Sequence, residues 1–169
     1  FPLSTIGHAL SKDGLHFDEY EKFIVPDKDW ERFGCEDPRV TKLDDKFYIF
    51  YTALATYPFS AAGITVGLAI SEDLKSVSSK HHVTNFNSKA MTLFPEKING
   101  KIVALLSANT DQPPATIALA SFEKEEDIWS PKYWNSWYAS LPKHALNLHK
   151  QKNDHVEIGA APLKTKKGW

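Results

Sequence analysis

Apolar residues along this chain occur in short runs, and each run ends at a cluster of Gly, Pro, Asn, Asp or Ser. Short runs rich in β-branched and aromatic residues predict strands joined by turns. No 3.6-residue apolar period continues far enough to predict a helix. The predicted strands are residues 3–10, the two runs that flank Asp44-Asp45, and residues 64–70, 90–98, 101–106, 116–121 and 156–163. The predicted fold class is therefore all-β.

Turn signals connect several of these runs. Asn99-Gly100 lies between two apolar runs and is the strongest hairpin signal in the chain. Asp44-Asp45 and Lys166-Lys167-Gly168 predict two further hairpins. Residues 18–33, 75–90 and the aromatic stretch 127–138 show no clean period. They are predicted as loops, the first with a short extended piece and the last as a loop or sheet edge.

Two patterns recur along the chain at a spacing of about 50–65 residues, which suits a four-stranded propeller blade. One is a strand followed by a serine and an acid, at residues 10–13, 69–73 and 120–123. The other is a proline-bearing strand followed by a charged turn, at Asp37-Pro38, Phe94-Pro95-Glu96 and Ala161-Pro162-Leu163. At this period the chain holds roughly three blades. A β-sandwich with irregular hairpins stays open as the alternative.

The Asp37 stretch carries the candidate chemistry. Pro38 is expected to push Asp37 toward extended geometry and so hold its carboxylate rigidly at the mouth of a sheet. Neighbouring Arg39 would favour the ionised form and burial would oppose it, so the pKa of Asp37 is tunable. A positioned carboxyl of this kind suits general acid–base catalysis. The alternative is an ordinary turn opener with a surface ion pair.

Composition excludes several other functions. The chain has 169 residues and a net charge of −1, and its basic residues are scattered, so nucleic-acid and anionic-membrane binding have no electrostatic support. No apolar run approaches the roughly 18 residues of a membrane-spanning helix. The lone Cys35 excludes an internal disulfide, fits a reducing compartment such as the cytoplasm, and is expected to be a packed side chain. The seven histidines show no metal-ligand spacing.

Four stretches carry more specific motifs. They are Ala9–Phe17 with a Ser-x-Asp-Gly turn, Gly34–Val40 with the Tyr-rich strand that ends at Ala53, Lys89–Lys101 with Leu-Phe-Pro-Glu, and Ile158–Trp169 with a final Gly-Trp. In this order they resemble the signatures of glycoside hydrolase family 130. That family contains β-mannoside phosphorylases and β-mannosidases on a five-bladed β-propeller. Its members are about twice this long, so residues 1–169 are expected to be one partial propeller domain that lacks N- and C-terminal blades.

The resemblance implies roles for individual residues. Asp37 would be the general acid of an inverting cleavage, and Glu96 is the acid proposed as the base. In an inverting pair the two carboxyl groups lie about 6.5–9.5 Å apart. Four more residues are expected to contact substrate or anion, namely Glu36, Arg39, Lys89 and Lys164. An alternative for Glu96 is a rim residue paired with Lys97 or Lys101.

Three functions are compatible with the resemblance. Thr65 stands where a phosphorylase is expected to carry an arginine, and the arginine expected soon after the strand that ends with residues 105–109 is also missing, which favours hydrolysis of β-mannosides. The first alternative is phosphorolysis, with inorganic phosphate as co-substrate and mannose 1-phosphate as product. The second is a propeller that binds glycans without turnover. The partner is an oligosaccharide, no cofactor or metal is expected, and a homo-oligomer is possible. The aromatic residues Tyr133, Trp134, Trp137 and Tyr138 could stack on sugar rings or pack between blades.

Overall fold

The computed structural model describes residues 3–148 and 156–169. Within these residues the chain forms nine strands in three antiparallel sheets, with one α-helix. The elements are β1 (Ile6–Leu10), β2 (Asp18–Ile24), β3 (Gly34–Leu43), β4 (Lys46–Leu54), β5 (Ile64–Ser71), β6 (Ser79–His82), β7 (Ser88–Leu93), β8 (Ile102–Ala108), β9 (Thr116–Phe122) and α1 (Pro131–Ala139). The described residues are therefore mainly β, as the apolar runs predict.

The four-stranded sheet β3–β4–β5–β6 is the middle of three layers. Alternate side chains of β4 point to opposite faces of this sheet. Tyr48 and Phe50 join a core shared with β7, β8 and β9, while Ile49 and Tyr51 join a second core shared with β1 and β2. Because both faces are covered, β5 is buried along its whole length. Three layers, rather than two, distinguish this arrangement from the β-sandwich alternative.

Separate antiparallel sheets that stack face to face are the arrangement of neighbouring propeller blades. The described residues form three such sheets and no closed ring. The five-bladed count, and the assignment of residues 1–169 to one partial propeller domain, stay predictions.

The predicted hairpin turns are confirmed. Asn99 and Gly100 have φ values of 51° and 79°, and Ile98 pairs with Lys101 across them. Both positions of such a turn require positive φ, which Asn and Gly adopt at low cost. Asp44, with φ of 54°, lies in the connection between β3 and β4. A third turn brings Thr165 opposite Gly168.

Several local predictions were wrong. The short extended piece predicted within residues 18–33 is strand β2, but strand β6 lies inside residues 75–90, which were predicted as a loop, and residues 156–163 form no regular strand. Helix α1 begins within the stretch 127–138, at Pro131, and ends at Ala139. The hydroxyl of the preceding Ser130 accepts a hydrogen bond from the Tyr133 amide. Serine before proline is a helix-start signal. The helix is too short to show a sustained apolar period.

The described residues contain no helix long and apolar enough to cross a membrane.

Helix α1 covers the free edge of β9. Trp137 donates its indole N–H to the Leu119 carbonyl at 3.0 Å. The Tyr133 hydroxyl donates to the Ser121 carbonyl and accepts from the Ser121 amide, both at 3.0 Å. The Leu119 amide donates to the His144 carbonyl. Backbone groups that a fourth strand would pair are thus satisfied partly by these side chains and partly by the backbone of residues 144–146, where Ala145 pairs with Ala118.

A fully buried carboxylate lies between β1–β2 and the middle sheet. Glu31 has 0% exposure and accepts hydrogen bonds from the Tyr51 hydroxyl at 2.5 Å, the Asp27 amide at 3.0 Å and the Cys35 thiol at 3.5 Å. Its charge is compensated by the ammonium group of Lys80, which also donates to Asp27 at 2.8 Å. This cluster ties the segment before β3 to β4 and β6.

The protonation states in the cluster follow from burial and charge. Burial, together with the Glu31 carboxylate, raises the pKa of the Tyr51 phenol and of the Cys35 thiol, so both stay protonated donors. Burial opposes the charge on Lys80, but hydrogen bonds to Asp27 and Glu31 outweigh it and raise the pKa of Lys80. Cys35 is therefore a packed, unreactive side chain, as expected.

Replacing Lys80 by Met should lower the free energy of unfolding of the full-length protein by about 3–5 kcal/mol, because Glu31 would keep a buried charge without compensation. Urea unfolding at pH 8 measures this, and Lys75→Met, at an exposed position, is the matched control. Folding raises the pKa of Lys80, so the pair stabilises fully below the unfolded lysine pKa of about 10.4 and less as the pH rises through the folded value. The wild-type advantage over Lys80→Met should therefore shrink above about pH 10; an advantage independent of pH contradicts the ion pair.

Candidate active site

Asp37 lies in a β-bulge of β3. The pairing of β3 with β4 shifts register between Glu36 and Arg39, and Asp37 has φ of 52°, in the left-handed region. The expectation that Pro38 would hold Asp37 in extended geometry was therefore wrong. The inserted residues of a bulge must leave the strand conformation, and aspartate tolerates a left-handed φ better than most residues. Pro38 is part of the same bulge. The pairing of β3 with β4 therefore overrides the preference of a residue before proline for extended geometry.

The Asp37 side chain is exposed and lines a depression of about 400 Å³. Its lining is Asp37, Pro38, Arg39 and Val40 on one side and Gly159, Ala160 and Ala161 on the other. Within the described residues, no hydrogen bond or ion pair joins the Asp37 carboxylate to another side chain. A free carboxylate over a depression of this volume is available to a bound ligand.

The same bulge occurs once more, in the next sheet. The pairing of β7 with β8 shifts register between Lys89 and Thr92, and Ala90 has φ of 55°. The repeat predicted from the sequence is therefore real, but the prediction matched the wrong residues, because it aligned Asp37-Pro38 with Phe94-Pro95. Asp37 corresponds to Ala90, and the acid is not repeated.

Glu96 does not occupy the position predicted for it. It lies beyond the end of β7 and before the Asn99-Gly100 turn, not on the strand that corresponds to β3. Its carboxylate is exposed and accepts from the Lys164 ammonium at 2.5 Å. It thus has the ion-paired rim environment of the alternative interpretation, with Lys164 as the partner instead of Lys97 or Lys101. Its role as a base stays a prediction.

Lys89, the predicted anion contact, belongs to a polar cluster at the rim. Its ammonium pairs with the Asp111 carboxylate at 2.8 Å, and both side chains are about one quarter exposed. Buried Asn87 donates to the other Asp111 oxygen at 2.9 Å and accepts from the Asp111 amide at 2.8 Å. Burial would raise the pKa of Asp111, but hydrogen bonds from Asn87 and Lys89 outweigh it, so the pKa lies below its ordinary value.

Glu36 and Arg39, the residues on either side of the bulge, both bind within the chain. The Ser4 hydroxyl donates to the Glu36 carboxylate at 2.6 Å. The Arg39 guanidinium donates to three backbone carbonyls, those of Asp37, Ile158 and Gly159. Neither residue is free in the way a dedicated substrate ligand would be.

The structure brings Asp37 and Arg39 together at one depression, Glu96 and Lys164 together as an ion pair, and Lys89 next to Asp111. Sequence reasoning missed Asp111, Asn87 and Ser4. Asp111 follows β8, outside the predicted strands, and its partners Asn87 and Lys89 lie 24 and 22 residues away. No local signal identifies contacts of that separation.

The aromatic stretch packs largely into the core, and Tyr133 and Trp137 also line a cavity of about 810 Å³. Trp134 and Trp137 are buried, and Tyr138 stacks on Phe86 with ring centroids 4.2 Å apart. His81 and His82 point to opposite faces of β6, where they stack on Trp129 and Trp30. The described residues include no group of three or more His, Cys, Asp or Glu arranged to hold a metal ion.

Substitutions at Asp37 should separate backbone strain from chemistry. Asp37→Asn should change the free energy of unfolding by less than about 0.5 kcal/mol, because Asn also accepts a left-handed φ. Asp37→Val should lower it by roughly 1–2 kcal/mol, because a β-branched residue clashes in that region. Urea unfolding of the full-length protein measures both, with Asp45→Val, at an exposed turn position outside the left-handed region, as control. Equal costs for Asn and Val would contradict the strained bulge.

A family model described as beta-1,4-mannooligosaccharide phosphorylase matches residues 3–169. A beta-1,2-mannobiose phosphorylase of Listeria innocua is 29% identical over 99% of this chain and 44% of its own length. A 1,2-beta-oligomannan phosphorylase of Thermoanaerobacter sp. is 32% identical over 99% of this chain and 51% of its own length. The chain therefore spans about half the length of the curated relatives that it matches.

Solved structures agree with these matches. The beta-1,2-mannobiose phosphorylase of Listeria innocua, solved in complex with beta-1,2-mannobiose, is 34% identical and has a TM-score of 0.58. That match covers 72% of this chain and 34% of the other. A glycosyl hydrolase structure from Bacteroides ovatus, 22% identical, shares the fold with a TM-score of 0.57 over 71% of this chain and 37% of its own. The family match over nearly the whole chain shows that this chain belongs to glycoside hydrolase family 130.

Proposed function

We propose that the full-length protein cleaves β-mannosidic bonds by phosphorolysis, with Asp37 as the proton donor. The observation that carries the proposal is the placement of Asp37, whose carboxylate is free of partners among the described residues and lines a depression. The relatives supply the reaction class, because they are named mannobiose and oligomannan phosphorylases. Those names favour phosphorolysis over the hydrolysis that the missing arginines indicated.

The proposed reaction is an inverting displacement. A phosphate oxygen attacks the anomeric carbon of the mannosyl unit from one face, and the bond to the glycosidic oxygen breaks on the other. The proton of Asp37 passes to that oxygen, directly or through a sugar hydroxyl, so the leaving sugar departs neutral. The products are mannose 1-phosphate with inverted configuration and a glycan shortened by one unit. Asp37 ends as a carboxylate and regains its proton from solvent.

Binding of the phosphate is the demanding part of this proposal. Each predicted cation already has a partner: Lys89 binds Asp111, Lys164 binds Glu96, and Arg39 binds backbone carbonyls. The two lysine pairs are partly exposed, so exchanging a carboxylate for phosphate costs little. Lys89 is the better candidate, because its neighbour Ala90 is the counterpart of Asp37 in the next sheet.

Hydrolysis is the second candidate, and it is favoured because the cations predicted to bind phosphate already have partners. Arg32 and Arg39 are the two arginines of the sequence. Thr65, at the position expected to hold an arginine, is buried with its hydroxyl 3.0 Å from the His82 ring. Bidentate arginine is the usual way to hold a phosphate dianion, but Arg39 is bound to backbone carbonyls and Arg32 does not line the depression.

Incubation of the full-length protein with β-1,2-mannobiose, with and without phosphate, tests the proposal. Phosphorus NMR should show mannose 1-phosphate only when phosphate is present, and Asp37→Asn should lower kcat by at least about a hundredfold while retaining glycan binding. The near-neutral effect of Asn on stability makes it a clean variant. Phosphorolysis releases one free mannose for each mannose 1-phosphate, so free mannose formed without phosphate, or without an equal amount of mannose 1-phosphate, identifies hydrolysis. Binding without turnover by the wild type identifies a glycan-binding protein and refutes the enzyme assignment.

A second variant tests the phosphate contact. Lys89→Met should raise the KM for phosphate at least about tenfold, since a charge-assisted hydrogen bond would be lost, and should change the KM for the glycan much less. Lys101→Met is the matched control, because Lys101 forms a comparable ion pair with Glu123 at 2.6 Å on the hairpin connecting β7 and β8. If both variants leave the phosphate KM unchanged, Lys89 serves only as the partner of Asp111.

A further inference from the structure

We infer that Arg39 is a positioning residue, which braces the Asp37 bulge against the segment Ile158–Gly159 and thereby fixes both walls of the depression. This role differs from the substrate contact expected from the sequence, and it rests on the proposed function of Asp37. In this role the Arg39 side chain sets the geometry of the site and does not itself recognise the ligand.

The contacts of the guanidinium group carry the inference. Its Nε donates to the Gly159 carbonyl at 2.8 Å, one Nη donates to the Ile158 carbonyl at 2.8 Å, and the other donates to the Asp37 carbonyl at 3.0 Å. Two of these bonds cross 119 and 120 residues of chain. The planar fork of arginine suits several carbonyls at fixed angles, which a single ammonium group cannot match.

The Asp37 carbonyl belongs to the residue whose carboxylate is proposed to donate the proton. That residue has a left-handed φ, which costs conformational energy unless the surroundings hold it. A hydrogen bond to its carbonyl fixes the peptide plane that follows it. The direction of the Asp37 side chain therefore depends on the Arg39 guanidinium.

The second anchor of Arg39 lies on the opposite wall. Gly159 lines the same depression as Asp37 and Arg39, and Ile158 beside it is buried. Residues 156–163 form no regular strand, so few backbone pairs hold them in place. The two hydrogen bonds from Arg39 are thus a main attachment of this wall to β3.

The repeat provides an internal comparison. Thr92 occupies the position of Arg39 in the second bulge, the first residue to regain register. Thr92 is buried, and its hydroxyl lies 3.1 Å from that of Thr41. In that bulge the left-handed residue is Ala90, which has no acidic group to aim. The guanidinium group is therefore present at the bulge that carries a carboxylate and absent from the bulge that carries none.

Arg39→Lys in the full-length protein tests this, with Arg32→Lys as the matched control. Arg32 is the other arginine. Its side chain is 63% exposed, and its ion pair with Asp29 is long, at 3.9 Å. We expect Arg39→Lys to lower kcat by about a hundredfold and to change the KM for phosphate and for mannobiose less than about threefold. Hydrogen exchange followed by mass spectrometry should quicken in peptides covering residues 156–163 and not in those covering β4 or β8. Arg32→Lys should match the wild type in every measurement.

Two results would overturn the inference. A rise in the phosphate KM that exceeds the fall in kcat would make Arg39 a direct ligand of the anion. If hydrogen exchange in Arg39→Lys quickens throughout the chain, or in no peptide, then Arg39 does not brace the segment Ile158–Gly159 locally. Failure of the proposed function would be seen separately, because Asp37→Asn would then retain turnover or the wild type would show none. The comparison of hydrogen exchange between Arg39→Lys and Arg32→Lys tests the brace in either case.

Discussion

The ion pair between Glu31 and Lys80 is the interaction on which the geometry of the site depends. A carboxylate with no solvent exposure is stable only when its charge is compensated and its oxygens are hydrogen-bonded. Glu31 meets that requirement by binding groups from three segments, and one of them, Cys35, lies two residues before Asp37. Packing of the first two sheets and the start of the strand that carries the candidate acid are thus set by the same cluster. Arg39 provides a second restraint on the far side of Asp37.

The sequence predicted those features that depend on neighbouring residues. The Asn99-Gly100 hairpin formed as expected, because both residues accept the backbone that the turn requires. The mainly β class followed from the apolar runs, and the family followed from four motifs in order. Helix α1 was missed because nine residues are too few for a sustained period. The conformation of Asp37 was missed because the rule for residues before proline is local, whereas a bulge is imposed by the partner strand.

The candidate site was predicted in part for the same reason. Asp37 was identified from its motif, and the structure places it at a depression. The position of Glu96 was wrong because proline served as the marker of the repeat, whereas the repeated feature is a backbone conformation. Partners such as Asp111 and the carbonyls of residues 158 and 159 are brought close by the stacking of sheets. Their identity cannot be read from spacing along the chain.

The covered edge of β9 has a consequence for the state of the protein in the cell. An uncovered outer strand is a template on which a second chain can pair and begin a fibril. Here an indole, a phenol and the backbone of residues 144–146 occupy those groups, and both aromatic side chains pack against the core that holds the helix. The β9 edge is therefore closed to pairing with a second chain, which removes this strand as a seed for aggregates.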